Sequence, residues 1–209
     1  VKHAVNFLGQ QNVKSLLLSA SVSYLMNRPL PGYGLNRGEL WTHAIGMAAG
    51  SRLLAERVGP GLSEAAYAAG MLADIGMLAL DSLLQEEAIP NMNARTAPTV
   101  DLETQYLGID HATLGAAVAK RWNLPDQMVD AIAHHHHPSQ AGAASKLASV
   151  LHVADAVLVK NGIGAGHDTS NYPIEPEALQ VVKVKADEFE TLFAAIMPLI
   201  QSAKSSLNG

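Results

Sequence analysis

The chain contains no cysteine. Disulfides, thiolate metal centres and thiol nucleophiles are therefore excluded. Aromatic residues make only 5% of the 209 positions, so the aromatic strand formers Phe, Tyr and Trp are scarce. Charged residues are also sparse, at 16%, and the net charge is −5 with histidine neutral. A mildly acidic surface argues against a non-specific nucleic-acid binder, whose footprint would be basic. No uninterrupted apolar run reaches bilayer length: the best, Leu151 to Val159, is short and carries His152 and Asp155. The start, Val1-Lys2-His3-Ala4-Val5-Asn6, is not a secretory signal. It also lacks an initiator methionine, so the expectation is a segment of a longer, cytoplasmic protein. What is abundant is hydrophobic residues, 48% of the chain, enough for a real core and far from a disordered composition.

That hydrophobic content is mostly Ala and Leu, and it repeats at helical spacing. Val13, Leu16, Leu17, Ala20, Tyr24 and Leu25 form one such stripe, and Leu147, Val150, Leu151, Ala154, Val157 and Leu158 another. No alternating stretch with hairpin turns competes with them. The spacing predicts an all-α, multi-helix bundle. Pro and Gly mark loops at Pro29–Gly38 and Pro90–Pro98. Ser63 and Asp110 are expected to cap the helices that follow them. Pro138 is expected to close a His-rich helix, and Pro198 to kink or end the last one. Small residues at Gly46, Ala48, Ala49, Gly50 and again at Ala65–Gly70 would let helix axes approach closely.

Six polar residues interrupt apolar helical surroundings: His43, Asp74, His111, His135, His136 and Asp155. A charge on a buried face is costly unless paired or bound to a metal. Imidazole with carboxylate suits Mn, Fe or Zn, and ligands from several helices can converge inside a bundle. Each residue also has a plainer reading. An isolated His43 or His111 would usually be a hydrogen-bonded core residue. Asp74 could cap a local turn, Asp155 could pair with His152 one turn earlier, and His134–His137 could be a titrating patch at a helix end. Gly162-x-Gly164-x-Gly166 follows a helix and not a strand, so it is no dinucleotide loop.

The joint order is more specific than any member. Leu40-Trp41-Thr42-His43, Gly70-Met71-Leu72-Ala73-Asp74-Ile75-Gly76, Gly108-Ile109-Asp110-His111, Trp122-Asn123-Leu124-Pro125, His135-His136-His137-Pro138 and His152-Val153-Ala154-Asp155 together resemble the HDOD family, the HD-related output domains of bacterial signalling proteins. The resemblance covers about residues 1–160. It implies an HD-superfamily fold, shared with the HD-GYP cyclic-di-GMP phosphodiesterases. It places the domain at 1–160, without the helices that usually begin the family's domain, and a helical tail at 161–209 packing on it.

The resemblance also implies a ligand set. One metal would draw on His43, Asp74 and Asp155, a second on Asp74, His111, His135 and His136. Three departures stand out. Ala73 replaces the His of the family's His-Asp pair, Met77 replaces a phosphate-contacting Lys, and no Gly-Tyr-Pro follows the His pair. Tyr172-Pro173 lies too far along the chain to stand in for it. Losing one ligand and the phosphate cation together weakens hydrolysis.

The expected function is therefore a non-catalytic signalling output domain, with a site that holds Mn, Fe or Zn or is vestigial. Its expected partners are a signalling protein or an upstream receiver-type module, with no nucleic acid and no membrane. The alternative is a metal-dependent phosphohydrolase with a single-metal site. A weaker one is a nucleotide sensor using the cations Arg37, Arg52, Arg57, Lys120 and Arg121. The Pro29–Gly38 loop, with Leu30, Tyr33 and Leu35, is the expected apolar docking patch.

Overall fold

The computed structural model describes residues 21–22, 24–87, 98–164 and 172–207. The first apolar stripe lies mostly outside these residues, as does nearly all of the Pro90–Pro98 loop. The described residues contain no strand, only one isolated bridge between Leu30 and Leu35. Among them, from Glu39 onward, nine α-helices follow one another: α1 (Glu39–Val58), α2 (Ser63–Leu72), α3 (Met77–Glu87), α4 (Thr99–Leu107), α5 (His111–Arg121), α6 (Asp126–Ala133), α7 (Ser145–Lys160), α8 (Pro176–Val182) and α9 (Phe189–Leu207). The chain is thus all-α, as its composition predicts.

The centre of the bundle is α7. Thirteen of its residues, from Leu147 to Val159, are buried, so it is apolar around nearly its whole circumference and needs neighbours on every side. It packs on α1, α6 and α8. Small residues then set the distances. A Cβ on Gly70 of α2 would stand 2.6 Å from the carbonyl oxygen of Met47 in α1, so these two helices meet backbone to backbone. A Cβ on Gly46 would strike Leu158 of α7, and one on Gly50 would press on Ile196 of α9. The tail helix therefore lies in a groove cut by the glycines of α1.

Several local expectations change. Ser63 is the first helical residue of α2 and its side chain caps nothing. Asp110 does cap α5, accepting from the Thr113 N–H at 2.6 Å. Helix α9 runs through Pro198 without ending. The histidine run is not helical: α6 stops at Ala133, and the run occupies the turn before a short 3₁₀ segment at Pro138–Gln140. Leu30, Tyr33 and Leu35 are buried, so the Pro29–Gly38 loop presents no apolar patch through them. Two stretches, Ser63–Glu86 and Gly142–Lys160, are long and apolar enough to cross a membrane, but 72% and 78% of their apolar windows are buried inside the fold. Core packing accounts for both.

Candidate metal centre

The six polar residues meet. His43 comes from the second turn of α1, Asp74 from the turn between α2 and α3, and His111 from the first position of α5. His135 and His136 come from the turn after α6, and Asp155 from α7. The turn carrying Asp74 is placed by Gly76. A Cβ there would fall 2.0 Å from the His111 carbonyl oxygen, so only glycine lets the turn lie against the start of α5. Asp74 caps no turn with its side chain, which points inward.

Asp74 stands between two sets of ligand atoms. On one side, His43 Nε2 is 3.3 Å from both Asp74 Oδ2 and Asp155 Oδ1. On the other, one ligand atom each from Asp74, His111, His135 and His136 lie within 4.8 Å of one another. His111 Nε2 is 3.4 Å and His135 Nε2 3.7 Å from Asp74 Oδ1. His111 Nε2 and His136 Nε2 are 2.9 Å apart.

The imidazoles are oriented from behind. His43 Nδ1–H donates to the Ile163 carbonyl at 3.0 Å, and His135 Nδ1–H to the Ile132 carbonyl at 2.8 Å. His111 Nδ1–H donates to Glu103 at 2.8 Å. In each case Nε2 faces the interior, the arrangement that metal-bound histidines adopt. Three of the inward atoms, His43 Nε2, His135 Nε2 and Asp74 Oδ2, are buried and held only by the longer ion-pair contacts, with no hydrogen bond. Burying such atoms without a full hydrogen bond costs up to about 1–3 kcal/mol each. A cation among them would satisfy all three, and an Asp/His donor set fits Mn, Fe or Zn.

The protonation states without metal follow from the same contacts. Burial pulls the His43 pKa down, but the Asp155 and Asp74 carboxylates outweigh it and hold it up at about 10. Burial likewise opposes ionisation of Asp74, yet His111, His135 and His43 keep it well below the usual carboxylate range. His111 is raised against its burial by Glu103 and Asp74. His136 is pushed well down by burial and by His135 and His111. A charged His111 then donates Nε2–H to a neutral His136, which turns Nδ1–H toward the Tyr172 phenol oxygen, 3.3 Å away.

Three residues here were not in the sequence-derived set. Glu103 is fully buried in α4. His152 does not pair with Asp155 as a helix neighbour would: its Nδ1–H donates to the His135 carbonyl, and its Nε2 accepts the Glu175 N–H. Tyr172, read from the sequence as too remote, sits at the site with its ring against both His136 and His152. Together with Thr99, Asp74, His111, His136, Asp155 and Val159 it encloses a cavity of about 10 Å³, room for about one water-sized sphere. A second pocket of about 40 Å³ lies beyond Tyr172 and His136, lined also by Pro98, Val100, Asp101, His137 and Pro173. Among the described residues, neither is lined by Lys or Arg. His134 and His137 stay outside the centre: His134 donates back to the Asp130 carbonyl and His137 stands near Glu175.

An all-helical body closed around a buried His/Asp cluster defines the class, and sequence comparison gives the family. The HDOD domain model matches residues 1–138, and the chain belongs to that family. Among solved structures, an HDOD domain protein of unknown function from Geobacter sulfurreducens is similar over 96% of this chain and 72% of its own, at 22% identity and a TM-score of 0.72. A candidate signal transduction protein from Marinobacter aquaeolei VT8 is similar over 81% of this chain and 39% of its own, at 20% identity and a TM-score of 0.66. At these identities the likeness shows the fold. A ribonuclease Y of Thermus thermophilus is 30% identical over 131 residues, 63% of this chain and 21% of the enzyme. The chain spans about a quarter of the length of the curated relatives it matches.

Proposed function

We propose that this chain is a signalling HDOD domain whose His/Asp centre holds a divalent transition metal without hydrolysing a phosphodiester. One observation carries the reading: three buried ligand atoms from α1, the Asp74 turn and the His135 turn face one another at 3.3–3.7 Å from a carboxylate or imidazole partner without making a hydrogen bond. Asp74, His111, His135 and His136 would supply the principal site, and His43 and Asp155 would complete a weaker one with Asp74. In that second set Ala73 offers no ligand.

Three features argue against turnover. Tyr172 and Thr99 help enclose the small inner cavity, no cation among the described residues lines it, and Met77 is buried where the resemblance implies a phosphate-contacting Lys. A bound metal could activate water, but a phosphodiester needs room and a counter-charge as well. The role that remains is to lock five elements into one arrangement, which a partner protein or a linked receiver-type module would read. The family and the Marinobacter neighbour support the signalling part. The compartment consistent with this role is the cytoplasm.

The test is metal content by mass spectrometry on full-length protein supplied with Mn(II), Fe(II) or Zn(II). Close to one ion per chain is expected in the wild type, and far less in Asp74→Ala. No ion in either protein overturns the proposal. The hydrolytic alternative is favoured by the ligand set and by the likeness to a ribonuclease. Turnover of cyclic dinucleotides or RNA by the loaded wild type, lost in Asp74→Ala, would establish it in place of the silent centre. A sensor that binds cyclic dinucleotides without cleaving them would instead give calorimetric heats in the absence of turnover.

A further inference from the structure

The least expected charge in the molecule is Glu103. Its carboxylate is fully buried, and the basic side chain it meets is neither lysine nor arginine but the His111 imidazole. Tyr33 O–H donates to Oε1. The His111 backbone N–H donates to Oε2 at 2.8 Å, and His111 Nδ1–H donates to the same oxygen at 2.8 Å. Burying a carboxylate without a lysine or arginine is expensive. A glutamine or an apolar side chain would fill a similar volume without that cost. What the carboxylate adds is directed at one imidazole.

Tyr33 is itself held from another direction. It ends the Pro31–Tyr33 turn, and the Gly32 N–H in that turn donates to Asp81 Oδ1 of α3 at 2.8 Å. A Cβ on Gly32 would lie 2.4 Å from the Asp81 carbonyl oxygen, so the turn sits directly on α3. One connected path runs from α3 through the turn to Tyr33, then Glu103, then His111 and Asp74.

We propose that Glu103, fixed by Tyr33, is a positioning residue that sets the tautomer and ligand strength of His111, so that the Pro31–Tyr33 turn governs how tightly the centre holds its ion. This rests on the metal-binding reading above. A carboxylate behind an imidazole fixes its Nδ1–H and makes Nε2 a stronger donor, and loss of such a partner costs about 10- to 100-fold in metal affinity. Tyr33 keeps the carboxylate aimed without touching the ion. Movement of the turn would therefore reach the centre through two hydrogen bonds.

The probe is Co(II), whose visible bands report the ligand set, titrated into metal-free full-length protein. Glu103→Gln keeps the shape and removes the charge. It should bind Co(II) about 10- to 100-fold more weakly than wild type, with unchanged band positions and a metal-free melting temperature close to wild type. Tyr33→Phe should shift affinity the same way by a smaller factor. A merely structural role would instead lower the metal-free melting temperature and leave Tyr33→Phe at wild-type affinity, which overturns the proposal. So does affinity within twofold of wild type in both variants. If wild type itself gives no Co(II) bands, the metal-binding reading fails first and this one with it; bands that vanish in Asp74→Ala but persist undiminished in Glu103→Gln refute only the positioning role.

Discussion

At the scale of single residues, the centre without metal is a proton store. His43 is held at about 10 against 6.5 for an ordinary imidazole, so between those values the folded chain carries a proton that the unfolded chain has released. Stability then falls as pH rises through that window. Asp74 acts at the other end: its contribution is present above the ordinary carboxylate pKa and is lost as pH drops below it. The melting temperature of metal-free protein should therefore decline from pH 7 to pH 10 and also in strong acid. Metal binding carries the opposite sign on the alkaline side. An ion in the principal site must displace the Nε2 proton of His111, and one in the weaker site that of His43, so affinity should rise with pH and binding should release protons. Titration in two buffers of different ionisation enthalpy measures that release.

This scale also shows what could be read in advance. The six ligand candidates stood out because His and Asp interrupt apolar stripes, and all six converge. Glu103 gave no such signal. It sits in Asp101-Leu102-Glu103-Thr104, which reads as the solvated side of a short helix, and only the docking of α4 against α5 turns it inward. Tyr172 was set aside for another reason: it is 36 residues from His136, and no local pattern announces a contact across such a gap.

At the scale of elements, the Asp74 turn is the most constrained piece of backbone. Small residues forecast close helix approach, and the structure realises it between α1 and α2, where Gly70 meets Met47. They did not forecast that Gly76 would set the position of a ligand. Replacing it with alanine forces apart the turn and the start of α5, since the added Cβ would meet backbone and not a flexible side chain. Gly76→Ala should destabilise the fold by on the order of 3 kcal/mol, read as a lower denaturant midpoint. It should also weaken metal binding beyond what the lost stability explains, because Asp74 and His111 move relative to each other. Caps were less legible than glycines. Asp110 caps as its position suggests, whereas Ser63 begins its helix because Leu62 already provides the first carbonyl.

At the scale of the whole molecule, the tail belongs to the centre's support. His43 is oriented by the carbonyl of Ile163, and His152 accepts from the N–H of Glu175. Helix α9 places Ile196 and Ile200 against the glycine face of α1. A chain ending at Lys160 should lose these contacts together. It should aggregate or melt well below the full chain, and hold metal poorly even where it stays folded. Calorimetry of the two lengths, with and without metal, checks this.

The same backward reach gives the protein an order of assembly. His43 is synthesised early, but the carbonyl that orients it comes 120 residues later, and the last described contact to the histidine cluster arrives with Glu175. During translation α1, α2 and α7 can associate before this, yet the cluster stays incompletely braced until the chain past Glu175 has left the ribosome. An ion captured sooner would meet a looser, less selective set of ligands. If the centre binds an ion as proposed, which ion it keeps is decided only once the segment carrying Glu175 has closed on the cluster.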